Sequence, residues 1–260
     1  MKTLSDLHTF SQRLPASEGP MPLLFVGHGN PMNAIEDNEF SRGWRAVGER
    51  LPAPAAILCI SAHWETHGTY VTAMERPRTI HDFAGFPREL SEVHYPAPGS
   101  PALASQSKEL LRKALVELDQ AWGLDHGCWS VARHLYPSAD VPVVQLSLDR
   151  SKPARWHYEL AGDLEKLRTR GVLIIGSGNM VHNLRLMDWE QPAEGYDWAR
   201  DANARFKGLI AGGDHEALVN YSALGQAAAL SIPTPEHYLP MLYILGLRKQ
   251  GEEAAFFNDR

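Results

Sequence analysis

Val172-Leu173-Ile174-Ile175-Gly176-Ser177-Gly178-Asn179-Met180-Val181-His182-Asn183 decides the fold: four aliphatic residues in a row, a cluster of glycines, then a histidine. An unbroken apolar run reads as a strand covered on both faces, the habit of parallel sheets. Working outward, Leu23-Leu24-Phe25-Val26 leads into Gly27-His28-Gly29, and Ala56-Ile57-Leu58-Cys59-Ile60 leads into Ser61-Ala62-His63-Trp64. A fourth run, Val141 to Leu148, contains Val143, Val144 and Leu146.

Helical patterns lie between these runs. Ser100-Pro101 reads as an N-cap followed by proline at the first helical position, opening a helix through about Leu115. Lys152 to Arg170 carries Trp156, Leu160, Leu164 and Leu167 at helical spacing and stops before Gly171. Trp198 to Ile210 reads as a helix ending at Gly212-Gly213. Thr234-Pro235-Glu236 opens another, whose stripe of Leu239, Leu242, Tyr243 and Leu247 reaches Gly251. Strands alternating with helices predict an α/β fold: a single three-layer domain with a largely parallel central sheet flanked by helices. No repeat, low-complexity tract or linker divides the chain, so one domain is expected over 1–260, with residues 1–20 as an N-terminal arm.

Composition narrows the function classes. The hydrophobic fraction is 44% and the charged fraction 22%, enough for a substantial core without disulfides. A net charge of −6 argues against a general nucleic-acid binder. There is no apolar run long enough to span a bilayer and no apolar segment of a secretory signal near the N-terminus. Only Cys59 and Cys128 occur, which suits a reducing compartment; a cytoplasmic location is expected.

Twelve histidines are the departure from average, and their placement is what matters. In open α/β sheets ligands bind beyond the carboxyl ends of the strands. If the strands are parallel neighbours, His28, His63 and His182 project into one crevice. A lone histidine behind a strand is ordinarily a hydrogen-bonded structural residue; three at equivalent positions point to a shared metal or catalytic site. Gly27, Gly29, Gly176 and Gly178 permit sharp turns or a close approach there. They form neither a phosphate loop nor a nucleophile elbow, since no third glycine, Gly-Lys-Ser/Thr or Gly-x-Ser-x-Gly is present. His63 and His67 are not a zinc helix motif: extended, they lie roughly 13 Å apart, and His67 reads as a surface turn residue.

Glu236-His237 is placed in the first turn of the last helix. A carboxylate there complements the helix dipole, whereas a cationic imidazole does not; a neutral, metal-binding imidazole removes that objection. Either residue completes a site. Asp125-His126-Gly127 and His81-Asp82-Phe83 read as loops, able to line a pocket. Trp64, Phe83, Trp129 and Tyr238 are candidate apolar walls for a planar ligand.

With these residues in view the chain resembles the class III extradiol ring-cleavage dioxygenases, in the 4,5-DOPA dioxygenase-like branch. The matching segments are Gly27-His28-Gly29-Asn30-Pro31-Met32, Ser61-Ala62-His63-Trp64, Thr79-Ile80-His81-Asp82-Phe83, His94-Tyr95-Pro96-Ala97-Pro98-Gly99, Asp125-His126-Gly127, Ser177-Gly178-Asn179, Val181-His182-Asn183-Leu184 and Thr234-Pro235-Glu236-His237-Tyr238-Leu239-Pro240. They run from about residue 22 to about 247. The resemblance implies one α/β domain with a mononuclear non-haem metal, and catechol plus O₂ as substrates. His28, His63 and His237 match metal-binding histidines. His182 matches a position that is either a fourth metal contact or the acid–base residue, and His126 a pocket histidine that assists proton transfer or oxygen handling. Because the wider superfamily uses two histidines and a glutamate, Glu236 rivals His237. Asn30 replaces the family's usual serine, and relatives tend to continue past the equivalent of Arg260 into a final strand, which predicts an altered sheet edge.

That chemistry wants these residues. Dioxygen reacts slowly with catechols unless a redox-active metal such as Fe(II) mediates; Zn(II) binds the same imidazoles without redox activity. A catechol must lose protons and an acid must assist ring opening, work a near-neutral histidine does. His182 is the first assignment for that shuttle, with His126 as helper. L-DOPA and caffeate serve as model substrates, and the product is a ring-opened semialdehyde. The rival readings are a zinc hydrolase using the same histidines to activate water, and a non-catalytic binding protein.

Overall fold

The apolar runs pair side by side. In a computed structural model, which describes residues 19–187 and 195–259, six strands form one sheet. They are β1 (Leu23–Gly27), β2 (Ala56–Thr66), β3 (Thr69–Thr72), β4 (Val116–Asp119), β5 (Val143–Asp149) and β6 (Val172–Gly178), in the order β1-β6-β2-β5-β3-β4. The pairs β1–β6, β6–β2 and β2–β5 are parallel, β3–β4 is parallel, and β3 meets β5 antiparallel. Alternate residues of each central strand enter different cores: Leu58, Ile60 and Ile174 face one, Ile57, Cys59 and Ile175 the other. Both faces are therefore covered, the three-layer arrangement expected from continuous apolar runs. The expected arm lies mostly outside the described residues.

The described helices are α1 (Glu39–Gly48), α2 (Arg88–Ser91), α3 (Pro101–Leu110), α4 (His126–Leu135), α5 (Ala154–Ala161), α6 (Glu165–Arg168), α7 (Asp197–Gly212), α8 (His215–Val219), α9 (Gln226–Ser231) and α10 (Leu239–Leu247). Helices α1 and α4 supply one layer, and the remaining longer helices supply the other. Ser100 caps α3 as expected, and Gly213 ends α7 in the left-handed region at φ 71°.

Several boundaries differ from the sequence expectation, each for a local reason. The helix from Ser100 stops at Leu110, and the chain turns into edge strand β4, leaving Leu115 exposed. The helix expected over 152–170 is broken: a 3₁₀ turn at Gly162–Leu164 separates α5 from α6. The helix expected from Thr234 begins only at Leu239, with Pro240 in its first turn. The reason is long-range: the His237 carbonyl accepts from Asn179 N–H at 2.8 Å and is spent on the end of β6. Asp125-His126-Gly127 is no loop. Asp125 caps α4 by accepting from Cys128 N–H, and His126 is the helix's first residue.

Candidate active site

Four strand-borne or strand-following segments converge where β1, β6 and β2 end. His28 follows β1 directly. His63 lies within β2, in the stretch between Ile60 and Glu65 where its register with β5 shifts. Such an irregularity re-aims a side chain, and here it turns His63 towards His28. His182 follows the loop after β6, its N–H bonded to Ser231 O at 2.8 Å. His237 arrives on the turn before α10.

The glycines prove to be needed for backbone packing. A Cβ at Gly178 would collide with the His237 carbonyl, and one at Gly127 would fall 2.7 Å from Ser61 Oγ, 3.0 Å from a His63 ring carbon and 3.3 Å from His28 Nδ1. Gly29 alone among the glycines beside these histidines adopts positive φ, at 58°. Asn30 caps the turn that follows, its Oδ1 accepting from Met32 N–H at 2.9 Å, a task serine also performs.

The five histidines assigned to the site from sequence, His28, His63, His126, His182 and His237, meet, whereas His81 is bonded to the Val93 carbonyl and does not line the cavity. His28 Nε2 and His63 Nε2 are 3.1 Å apart. The His237 ring lies 5.3 Å from that of His28 and 5.0 Å from that of His63, between centroids, and His182 stacks on His237 at 3.4 Å with 11° between planes. His126 sits 3.9 Å from His63 and 5.6 Å from His28. Among the described residues two groups are spaced to hold a metal ion, His28-His63-His126 and His182-Glu236-His237.

The outer ring of contacts fixes tautomers. Ser177 Oγ donates to the Gly127 carbonyl at 2.6 Å, so its lone pairs receive His28 Nδ1–H at 2.9 Å. His28 Nε2 is thereby left bare towards the crevice. Asp82 Oδ2 stands 3.3 Å from His63 Nδ1 and 3.0 Å from His126 Nδ1, the latter an ionic approach without hydrogen-bond alignment. Asp82 Oδ1 accepts His126 backbone N–H at 2.9 Å. Glu236 Oε1 takes His237 Nδ1–H at 3.2 Å and the Thr234 hydroxyl at 2.9 Å. Beneath them buried Asp125 accepts from Ser61 Oγ at 2.7 Å and Gln145 Nε2 at 2.7 Å.

Burial keeps His28, His63 and His182 neutral. It is the largest cause in each case, with neighbouring histidines adding to it: His28 is held well below its ordinary range, His63 at about 3 and His182 at about 4. Burial pushes the Glu236 carboxyl up, but hydrogen bonds from His237, its own backbone and Thr234 outweigh this and hold it at about 2. Asp82 likewise stays ionised, because its side-chain and backbone contacts with His126 overcome burial. Neutral imidazoles and ionised carboxylates are the forms that bind a metal.

The cavity that opens onto these rings measures about 490 Å³. Of the four aromatic walls expected, only Phe83 lines it. Trp64 stacks on Trp122, Trp129 is fully buried and donates to Ile80 O, and Tyr238 lies in the opposite core, bonded to Leu218 O. His67 is exposed and bonded to Arg150, as a surface residue should be. Cys59 and Cys128 are both buried and free. Sequence reading gave neither Asp82 nor Ser177 a role in orienting a histidine. Their signal was the need for an acceptor behind each metal-facing histidine.

Residues 18–254 match the family described as the catalytic LigB subunit of aromatic ring-opening dioxygenase. The chain belongs to this family. A relative from Escherichia coli (strain K12), named 4,5-DOPA dioxygenase extradiol, is 53% identical over 233 residues, 87% of this chain and 84% of its own. One of the same name from Beta vulgaris is 36% identical over 248 residues, 90% of each chain. The crystal structure of an uncharacterized protein from Escherichia coli K12, 48% identical, superposes with a TM-score of 0.78 over 90% of this chain and 91% of that one. The chain is thus an extradiol ring-opening dioxygenase, a metal-dependent oxidoreductase, as the resemblance implied. No helix among the described residues is long and apolar enough to cross a membrane.

Proposed function

We propose that the chain opens catechols with O₂, using one Fe(II) ion held by His28, His63 and His237. The observation that carries this reading is the approach of His28 Nε2 and His63 Nε2 to 3.1 Å in a buried crevice, with Ser177 and Asp82 at their far nitrogens. Two bare nitrogens held that close fit adjacent ligands of one cation. Imidazoles with a neighbouring carboxylate suit non-haem iron, although zinc takes the same donors. Bound Fe(II) supplies the redox chemistry that lets O₂ react with a catechol.

The remaining residues bind, orient and move protons. Glu236, whose Oε1 accepts His237 Nδ1–H and the Thr234 hydroxyl, orients that ligand and in this reading serves behind the site instead of replacing His237 in it. His182, neutral and lining the cavity, takes a catechol proton and returns it when the ring opens. Its stack on His237 at 3.4 Å disfavours charge on both rings, so His182 carries that proton alone. The same stack keeps it within reach as a fourth metal contact. His126 assists: Asp82 beside its Nδ1 stabilises the imidazolium formed when Nε2 accepts a proton. The product is a ring-opened semialdehyde. DOPA is the compound in the relatives' names, so L-DOPA is the first substrate to try, and caffeate the second. A cytoplasmic location belongs to the same proposal.

The test is to load metal-free protein with Fe(II) anaerobically, then admit air and a catechol, following oxygen uptake and visible product. Zinc-loaded protein and a His182→Ala variant run beside it. Iron-dependent product, lost with zinc and reduced at least 100-fold in the variant, is expected. No oxygen uptake across a panel of catechols would sink the proposal. Hydrolytic turnover by zinc-loaded protein would put the hydrolase in its place.

A further inference from the structure

We infer that Asp125 is a positioning residue for this site: paired with Gln145 and standing outside the cavity, it sets His63, His126 and, through Ser177, His28. The inference rests on the metal-site reading above and extends it to a network behind the histidines. Asp125, Ser61 and Gln145 are completely buried, at 0% exposure, and none of them lines the cavity. Burying a carboxylate is costly unless hydrogen-bond donors surround it. Here donors converge from three elements. Ser61 Oγ of β2 and Cys128 N–H of α4 reach Oδ1 at 2.7 and 3.0 Å, and Gln145 Nε2 of β5 reaches Oδ2 at 2.7 Å. Gln145 Oε1 in turn accepts the Asp125 backbone N–H at 2.9 Å, closing a ring between the two residues.

These contacts lead to three histidines. Ser61 Oγ, its proton given to Asp125, accepts the His63 N–H at 3.3 Å, within the stretch where β2 shifts register against β5. His126 follows Asp125 and opens the helix that Asp125 caps. One residue further, the Gly127 carbonyl accepts the Ser177 hydroxyl that faces His28 Nδ1. Packing leaves no slack to absorb a shift, since even a methyl at Gly127 would stand 2.7 Å from Ser61 Oγ. Capping alone does not call for an aspartate, because asparagine caps a helix equally well. What asparagine cannot do is face Gln145. With its oxygen kept for Ser61 and Cys128, its NH₂ meets Gln145 Nε2, a donor against a donor. Turning the Gln145 amide over sets the same clash against the Asp125 backbone N–H. Exchanging both residues restores the match. In Asp125→Asn/Gln145→Glu the introduced carboxylate accepts from the new amide and from that backbone N–H, and the network again holds one charge.

The experiment compares the native chain, Asp125→Asn, the double exchange and Ser61→Ala. Zinc affinity is read by chelator competition, ligand geometry by the visible absorption of the Co(II)-loaded form, and kcat on L-DOPA at saturating Fe(II). Urea denaturation of the metal-free protein follows the fold. Asp125→Asn should bind zinc about 10–100-fold more weakly, shift the Co(II) bands and lower kcat about tenfold or more. The double exchange should bring zinc affinity and kcat back to within about threefold of native, with native Co(II) bands. Ser61→Ala keeps the cap and the Gln145 pair, so it should shift the Co(II) bands while urea stability changes little. Lowered urea resistance in Asp125→Asn beside native zinc affinity and Co(II) bands overturns the inference, because the residue then serves the fold alone. A double exchange that fails to fold or recovers nothing overturns it too, as do native Co(II) bands in Ser61→Ala. The zinc and cobalt readouts are independent of turnover. Rescue there, with no catechol opened by any form, would keep the positioning role and remove the ring-opening reading.

Discussion

Replacing Asp82 by asparagine removes one charge from between two histidines and leaves the volume almost unchanged. The carboxylate makes three contacts: Oδ1 with His126 backbone N–H at 2.9 Å, and Oδ2 with His63 Nδ1 at 3.3 Å and His126 Nδ1 at 3.0 Å. An amide cannot serve all three. If its oxygen keeps the backbone N–H, its NH₂ confronts two ring N–H groups; if it flips, the NH₂ confronts the backbone instead. Relief requires His63 to move its proton to Nε2, which blocks the nitrogen that faces His28. Setting a donor against a donor at a buried site costs about 1–3 kcal/mol, and loss of such an outer contact lowers metal affinity about 10–100-fold. Zinc, being redox-silent, reports affinity cleanly through competition with a chelator. The proposed mechanism gives the rate a separate route, because Asp82 also faces His126 Nδ1. In Fe(II)-loaded enzyme Asp82→Asn should therefore lower kcat beyond what metal saturation restores. In a His126→Ala background that extra loss should shrink while the affinity loss persists. Native zinc affinity and kcat within twofold, in a variant with unchanged urea denaturation, would refute the reasoning.

Three further outcomes follow from the same geometry. Ser177→Ala frees His28 Nδ1 and should weaken zinc binding about 10–100-fold in chelator competition; unchanged affinity would show that His28 is oriented by other means. Gly178→Ala drives a methyl into the His237 carbonyl and should cost about 1–3 kcal/mol in urea denaturation, with weaker zinc binding alongside; loss of neither would mean the turn yields freely. Burial pushes His157, hydrogen-bonded to the Tyr243 hydroxyl, down to about 4. The unfolded chain, titrating near 6.5, binds the extra proton between those values. Stability from this group is complete above about pH 6.5 and falls by up to about 3 kcal/mol as pH drops towards 4. Metal-free His157→Gln should therefore lose less stability than the native metal-free chain between pH 7 and 4.5, and equal losses would exclude His157 as a source of acid sensitivity.

What sequence could and could not reveal divides along a physical line. Runs such as Val172–Ile175 announce themselves because a strand buried on both faces must be apolar at every position. The histidines behind them announce themselves because strand ends are where an open sheet forms its crevice. Strand β3 did not stand out: Thr69–Thr72 is four residues long and meets β5 antiparallel near the sheet edge. Helix α1 hides for a related reason, since only Ser41 and Trp44 along it are buried. The shift in β2 near His63 is a property of pairing with β5, and no local pattern encodes it. The start of α10 was misplaced because the His237 carbonyl bonds to Asn179, 58 positions earlier in the chain.

The same division explains why the clustered histidines were legible and the groups behind them were not. A histidine of the cluster sits at a position that backbone topology dictates, whereas the group that orients it need only arrive with an oxygen at the right place. Ser177 reaches His28 across 149 residues of sequence, and Asp82 reaches His63 and His126 from a loop with no period. Each His–oxygen pair nonetheless follows from one requirement. A buried imidazole that presents Nε2 to a cation carries its proton on Nδ1, and that proton needs an acceptor. The three proposed ligands demand three acceptors, and the fold places beside their Nδ1 atoms a serine hydroxyl, an aspartate and a glutamate: Ser177, Asp82 and Glu236. The glutamate that competed with His237 for the metal thereby gains a role of its own. In the proposed site it is the acceptor that orients His237, so a chain with Glu236 removed should hold its metal less tightly while keeping all three imidazoles in place.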